Sequence, residues 1–134
     1  MSRRVTREMA MKLFYQMEIG QEFECQKVYE YIDENAMKDM DVEYIKNISS
    51  KFIGGMEQVD EIIAKCSKGW SIKQISKVDL SILRIAVSEM MYADDISAGI
   101  SINEAVELAK TYGGKNSPSF INGVLGSAAN ELGK

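Results

Sequence analysis

Residues 101–125 read SINEAVELAKTYGGKNSPSFINGVL, and they predict two helices separated by a short polar loop. Ser101 and Glu104 have the spacing of a capping box, in which both side chains satisfy free amides at a helix start. Ser117 is the predicted N-cap of the second helix, because Pro118, the only proline of the chain, suits the first helical position. The two predicted helices cover residues 101–112 and 117–132.

The rest of the chain also repeats its apolar residues at helical spacing, and strand-like alternation is nearly absent. Val28 and Tyr29 are expected to face inward from the second helix. The pair Gly54-Gly55 predicts a bend or a close helix–helix approach in the third. Residues 76–93 are apolar around most of the helix and are expected to lie at the centre. The remaining predicted helices cover residues 3–18, 25–36, 41–65 and 71–76.

The whole chain, residues 1–134, is therefore expected to form one all-α domain, a bundle of about seven helices. No apolar run approaches the roughly 18 residues of a membrane span, and no signal-peptide pattern opens the chain. Cys25 and Cys66 lie far apart, which favours two reduced structural thiols. We expect a cytoplasmic protein.

The net charge of −4 conceals an uneven distribution along the chain. Residues 1–17 carry four bases and one acid, residues 18–61 carry twelve acids and four lysines, and residues 62–134 carry eight bases and seven acids. This segregation predicts a local basic face for one partner and an acidic face that points elsewhere.

The side chains do not favour catalysis. The chain contains no histidine, which removes the commonest general base and the commonest metal ligand. It also lacks the glycine-rich motifs that hold nucleotide phosphates. Asp94-Asp95 is a poor metal site, because two adjacent acids supply too few oxygen ligands. We expect no enzyme activity, no cofactor and no metal.

Binding chemistry is better represented. On a helix over residues 3–15, Arg3, Arg4 and Arg7 lie close together, and Tyr15 follows two turns later near the same face. Arginine binds phosphate through two parallel hydrogen bonds, and an exposed tyrosine can stack on an unpaired base. The residues alone leave open a polyanion-binding surface or a solvated basic helix start whose Tyr15 lies in the core.

Arg84 and Phe120 can also be interpreted either as binding residues or as structural ones. Arg84, in the middle of an apolar helix, is either a phosphate contact or the partner of an acid such as Glu89 or Glu104. Phe120 either fills the core or offers an edge for stacking, and Trp70 is most simply a packing anchor. The corner between the last two helices adds cationic, hydrogen-bonding and aromatic groups, at Lys115, Asn116, Ser117, Phe120 and Asn122.

Four blocks of the chain resemble the NusB family of bacterial transcription antitermination factors. The blocks are RRVTREMAMKLFYQ (3–16), VDLSILRIAVSE (78–89), INEAVELAK (102–110) and FINGVL (120–125). The resemblance implies an all-helical, non-catalytic protein that pairs with NusE, a small-subunit ribosomal protein, and binds boxA-type RNA. It also implies an RNA polymerase elongation complex with other Nus factors, chiefly on ribosomal RNA operons.

The resemblance also assigns roles to individual residues. It implies that Asp79 lies on the face for NusE. It implies RNA contacts for Arg3, Arg4, Arg7 and Tyr15, and an extension of that surface through Arg84, Lys115, Asn116, Ser117, Phe120 and Asn122. At Val5, Leu80 and Ser119 the chain lacks basic residues that are frequent in the family, so we expect weaker RNA binding without the partner.

Two rival functions remain at this stage. One is a NusB-like RNA- or protein-binding module of the machinery that processes or modifies ribosomal RNA. The other is a helical scaffold whose arginines serve protein contacts. The sequence also leaves open whether the free protein is a monomer or a homodimer.

Overall fold

The computed structural model describes residues 2–134, which form six α-helices and one short 3₁₀ helix, with no β-strand in that range. The predicted all-α class is confirmed, and the helix number is close to the predicted seven. No helix in the described part of the chain has the length and apolarity to cross a bilayer. The elements are α1 (Arg3–Gly20), α2 (Cys25–Glu34), α3 (Val42–Cys66), the 3₁₀ helix (Ile72–Gln74), α4 (Lys77–Tyr92), α5 (Ala98–Tyr112) and α6 (Ser117–Glu131).

The helix α4 lies at the centre of the fold, as predicted. Every residue from Asp79 to Met90 is buried, and α4 packs against α1, α3, α5 and α6. A helix that is apolar on nearly all sides must be covered on all sides, and four neighbours achieve this. As a result α1 and α5 both lie on α4.

The apolar stripes of α1 and α3 meet in the core next to α4. The rings of Phe14 on α1 and Phe52 on α3 stack with their centroids 4.6 Å apart. In α2 the prediction for Tyr29 is wrong, because Tyr29 is 51% exposed while Tyr31 is buried. Val28 and Tyr31 are three residues apart and share the buried face, whereas Tyr29 is turned about 100° away from Val28.

Both predicted helix starts in residues 101–125 are displaced. The helix α5 begins a turn earlier than predicted, where the Ser97 hydroxyl accepts a hydrogen bond from the Ile100 amide. Ser101 is buried inside the helix and donates to Glu89 at 2.7 Å. The N-cap of α6 is Asn116, one residue before Ser117. In both cases the predicted capping serine makes a tertiary hydrogen bond to α4 instead.

The glycine pair in α3 coincides with the predicted bend and with a close contact to a side chain of α4. Gly55 departs from helical geometry, with φ −121° and ψ 21°, and α3 bends there. A Cβ atom at Gly55 would run into the hydroxyl end of Tyr92 on α4, whereas a Cβ atom at Gly54 would meet open space. The missing side chain at Gly55 therefore lets the Tyr92 ring of α4 approach α3 closely.

Replacing each glycine by alanine tests this close approach. We expect Gly55→Ala to lower the free energy of unfolding by about 1–3 kcal/mol, because the added methyl group displaces Tyr92. The matched control Gly54→Ala should raise it by up to about 1 kcal/mol through better helix propensity. Urea denaturation of both variants measures the difference, and equal effects would contradict the close approach.

Candidate nucleic-acid interface

Two clefts lie between α1 and α5, and a third lies beyond the end of α5, where α4 meets the α5–α6 loop and α6. We call the surface that carries the three clefts the α1–α5 strip. Its first cleft, of about 140 Å³, lies around Arg4, Arg7 and Glu104. The second, of about 370 Å³, lies around Lys12, Tyr15, Val78 and Tyr112. The third, of about 390 Å³, lies around Trp70, Asp79, Lys115, Asn116, Ser117 and Phe120.

Arg4 supplies an exposed cation at the first cleft. Its side chain is 73% exposed and binds the Glu104 carboxylate from its Nε and one terminal nitrogen, at 3.2 and 2.8 Å. The hydrogen bond and the charge of Glu104 raise the pKa of Arg4 above its usual value. The side-on pairing leaves the other edge of the guanidinium, with its remaining N–H groups, facing solvent.

Arg7 lies beneath Arg4 and is closed off from solvent. Its side chain is 7% exposed, and its Nε donates to Glu89 at 2.7 Å. A terminal nitrogen reaches Glu104 at 3.4 Å. Burial lowers the pKa of Arg7, but the hydrogen bond and charge of Glu89 outweigh it, so the net pKa is raised. Arg7 therefore remains a cation held between two carboxylates.

Glu89 joins four elements of the fold at one carboxylate. It accepts hydrogen bonds from Arg7 on α1, the Tyr44 hydroxyl on α3 and the Ser101 hydroxyl on α5. Burial, followed by the charge of Glu89, raises the pKa of the Tyr44 phenol strongly, so this hydroxyl stays protonated and donates. Arg3 covers the same site, with its guanidinium 4.4 Å from the centre of the Tyr44 ring and 3.2 Å from Asp41.

The second cleft carries aromatic rings beside a cation. Tyr15 is exposed, which favours the surface alternative for this residue over the core. The Lys12 ammonium lies 5.4 Å from the centre of the Tyr112 ring, so the side chains of α1 and α5 meet across the cleft. Val78, at the start of α4, forms part of the same cleft, and the next residue, Asp79, lines the third.

The third cleft contains the corner between α5 and α6. The rings of Trp70 and Phe120 meet edge to face, with their centroids 6.0 Å apart. Trp70 is 51% exposed, so its expected packing role is limited, and Phe120 is half-buried against the core. Ser117 is buried and donates to Asp79 at 3.0 Å, while the other carboxylate oxygen of Asp79 has no partner.

The predicted site residues lie in three places: on the α1–α5 strip, outside its three clefts, and in a separate buried cluster. Exposed or half-exposed residues of the α1–α5 strip are Arg4, Tyr15, Lys115, Asn116 and Phe120, and its buried members are Arg7, Ser117 and Asp79. Arg3 contacts Asp41 and Tyr44 at the start of α3, outside the residues that line the first cleft. Asn122 is exposed on α6, also outside the residues that line the three clefts. Arg84 lies elsewhere.

Arg84 belongs to a separate buried cluster between α1, α3 and α4. Its guanidinium binds Glu18 at 2.6 Å and Asp60 at 2.8 Å, so the ion-pair alternative is found with partners other than the expected acids. The Cζ atom of Arg84 lies 5.4 Å from the centre of the Phe23 ring and 5.4 Å from the centre of the Phe52 ring. Burial raises the pKa of Glu18, but Arg84 and Lys77 outweigh burial, and the net pKa is lowered.

The arrangement is suited to binding. Cations, aromatic rings and hydrogen-bonding groups alternate along the α1–α5 strip, as in surfaces that hold phosphates and unpaired bases. Within residues 2–134 no group of three or more cysteines, aspartates or glutamates is placed to hold a metal ion.

Comparison with known proteins identifies the family. The NusB family model matches residues 4–130, which is nearly the whole chain. This chain belongs to the NusB family. The transcription antitermination protein NusB of Acetivibrio thermocellus is 47% identical over 126 residues, covering 94% of this chain and 87% of that protein.

Solved NusB structures agree with the fold. The structure of T. maritima NusB superposes with a TM-score of 0.87 at 31% identity, covering 98% of this chain and 92% of that one. A crystal structure of the antitermination factors NusB and NusE in complex with dsRNA superposes with a TM-score of 0.83 at 26% identity, covering 96% of each chain.

Sequence reasoning missed several residues of the α1–α5 strip in this NusB family member. Lys12 and Tyr112 meet across the second cleft, and Glu104 binds two arginines. Helical spacing gave a partial signal for Lys12, since it precedes Tyr15 by three residues and shares its side of α1. The partners of Glu104 are about a hundred residues away in the chain, so no local pattern reveals them.

The Arg84 cluster predicts a pH-dependent loss of stability. At neutral pH, Arg84→Gln should lower the free energy of unfolding by about 3 kcal/mol, because the buried Glu18 then keeps only the half-exposed Lys77 as a cationic partner. A carboxyl whose folded pKa is lowered stabilises the fold above its unfolded pKa of about 4.3, and this contribution is lost as pH falls through the folded value. The loss in Arg84→Gln should therefore shrink below about pH 4.

Urea denaturation from pH 7 to pH 3 measures this dependence. Lys77→Gln is the matched control, because Lys77 binds the same Glu18 at 3.0 Å from a half-exposed position. Its effect should stay below about 1 kcal/mol. A loss in Arg84→Gln that is the same at both ends of the pH range would contradict the ionic role of Arg84.

Proposed function

We propose that this protein is a non-catalytic transcription antitermination factor that binds boxA-type single-stranded RNA together with the ribosomal protein NusE. In this role it supports processive transcription of ribosomal RNA operons. The observation that carries the proposal is the NusB family match over residues 4–130, supported by a relative of that name at 47% identity. The site of action is then the elongating RNA polymerase with other Nus factors, in the cytoplasm.

The partner proposal is supported by structure and charge. The solved complex of NusB and NusE with dsRNA contains a chain that superposes on 96% of this one. Residues 18–61 carry a net charge of −8, from twelve acids and four lysines, which suits a basic ribosomal protein. Asp79 is buried against Ser117, so we propose that it shapes the face for NusE from beneath.

The α1–α5 strip is the proposed RNA surface. Arg4 and Lys12 would hold phosphates, and Lys115 would extend this series past the corner. Tyr15 in the second cleft and Phe120 in the third would each stack on an unpaired base, since base–aromatic stacking tolerates any base. Asn116 is exposed beside Phe120 and offers hydrogen bonds. Arg3 and Asn122 would contact RNA beyond the two ends.

Arg84 has a different role in this proposal. Its side chain is 4% exposed and is surrounded by Glu18, Asp60 and two phenylalanine rings. Releasing it to reach a phosphate would leave Asp60 without this cation and the buried Glu18 with only the half-exposed Lys77, which is costly. We therefore propose that Arg84 supports the RNA surface by holding α1 against α4.

Titration of labelled boxA-type RNA with and without NusE tests this function. We expect specific binding that NusE strengthens. Arg4→Ala should weaken it roughly 3- to 10-fold and reduce the slope of log affinity against log salt by about 0.7, the value for one phosphate contact on a single strand. Lys51→Ala, an exposed lysine on α3 outside the α1–α5 strip, is the matched control. Equal affinity for a scrambled strand with NusE present would refute the proposal.

Stacking by Tyr15 gives a second prediction. Tyr15→Ala should weaken RNA binding by roughly 5- to 100-fold, because one stacked base contributes about 1–3 kcal/mol. The salt slope should remain unchanged, since no charge is removed. Tyr29→Ala is the control, because Tyr29 is also exposed but lies on α2, beside Lys46 of α3 and outside the α1–α5 strip. Anisotropy titrations would contradict the stacking role if both variants behaved alike.

A further inference from the structure

The arginine block of α1 is electrically balanced by the chain itself. Arg3 pairs with Asp41, Arg4 pairs with Glu104, and Arg7 pairs with Glu89 and Glu104. Residues 1–17 carry a net charge of +3 in the sequence, but in the fold each of these three arginines already contacts a carboxylate. An RNA strand that approaches this surface meets carboxylates as well as guanidinium groups.

Glu104 differs from the other acids because it bridges two arginines. Its Oε1 atom lies 3.2 Å from Nε of Arg4 and 3.4 Å from a terminal nitrogen of Arg7, and its Oε2 atom lies 2.8 Å from Arg4. One anion held by two guanidinium groups is the arrangement in which arginine pairs bind a phosphate. The Glu104 carboxylate therefore occupies a phosphate-like position inside the first cleft.

Glu104 covers the guanidinium group of Arg7. Its side chain is 16% exposed, and Arg7 behind it is 7% exposed, while Arg4 in front of it is 73% exposed. The opposite side of Arg7 is occupied by Glu89. No external anion reaches Arg7 while Glu104 stays in place. The adjoining space of the first cleft, about 140 Å³, gives the carboxylate room to move aside.

We propose that Glu104 is a built-in competitor of RNA, which occupies the phosphate position between Arg4 and Arg7 until a phosphate displaces it. This inference rests on the proposed RNA-binding function and concerns the regulation of that same surface. The exchange is feasible because a phosphate would take over the contacts that Glu104 makes to Arg4, whose side chain is 73% exposed. Arg7 remains anchored by Glu89, so the fold of α1 survives the exchange. RNA contact at Arg7 then requires prior displacement of Glu104.

The substitution Glu104→Gln tests this competition, because it removes the charge and keeps the size of the side chain. With a short boxA-type RNA at about 0.1 M salt, we expect affinity to rise roughly 3- to 10-fold. Glu107→Gln is the matched control, since Glu107 lines the same cleft but pairs with Lys110 instead of an arginine. Its affinity should change less than about 2-fold. Thermal denaturation verifies that both variants fold.

A double substitution separates competition from a general charge effect. In the Arg4→Ala background, Glu104→Gln should lose most of its gain, because the two side chains act on one site. Equal gains from Glu104→Gln and Glu107→Gln would overturn the inference, and so would weaker binding by Glu104→Gln. Either result leaves the proposed function intact, provided that the unsubstituted protein binds RNA. No RNA binding by any variant, with NusE present, would refute both.

Discussion

Two buried ion pairs of opposite polarity join α1 to α4. The cation of the first pair is on α1, and the cation of the second is on α4. Arg7 on α1 pairs with Glu89 on α4, whereas Glu18 on α1 pairs with Arg84 on α4. A reversed α1 would bring Arg7 toward Arg84 and Glu18 toward Glu89, so that like charges would meet in a poorly solvated interior. The two pairs thus fix the direction of α1 and its position along α4. The α1–α5 strip depends on this, because the same constraint sets which side chains of α1 face α5.

The helices could be predicted because their apolar spacing follows from burial on one side. The starts of α1 to α4 could be predicted as well. The start of α5 could not, because a capping box is a local pattern and Ser101 uses its hydroxyl elsewhere. Ser101 bonds to Glu89 on α4, and Ser97 caps α5 one turn earlier. Tyr29 shows a second limit. In a ten-residue helix, the apolar residues allow more than one choice of buried face, and packing against α1 and α3 selects Tyr31.

The residue types of the candidate site could be predicted more readily than the contacts that these residues make. The sequence contains the cations and aromatic rings of the α1–α5 strip, and Arg4, Tyr15 and the α5–α6 corner do lie at its surface. Whether an arginine is free or paired depends on acids far away in the chain. Arg7 is 82 residues from Glu89, and Arg84 is 66 residues from Glu18. Spacing rules act over a few residues, so they cannot distinguish an exposed arginine from one that is paired in the core.

The long separation between Arg7 and its two acids has a consequence for synthesis on the ribosome. The chain is made from its N-terminus, so α1 emerges long before Glu89 and Glu104, 82 and 97 residues later. During that interval the three arginines of α1 have none of the α4 and α5 carboxylates to pair with. Arg3 can meet Asp41 early, but the nascent Arg4 and Arg7 lack these partners, and their pairs with Glu104 form only once α5 has emerged and packed on α4.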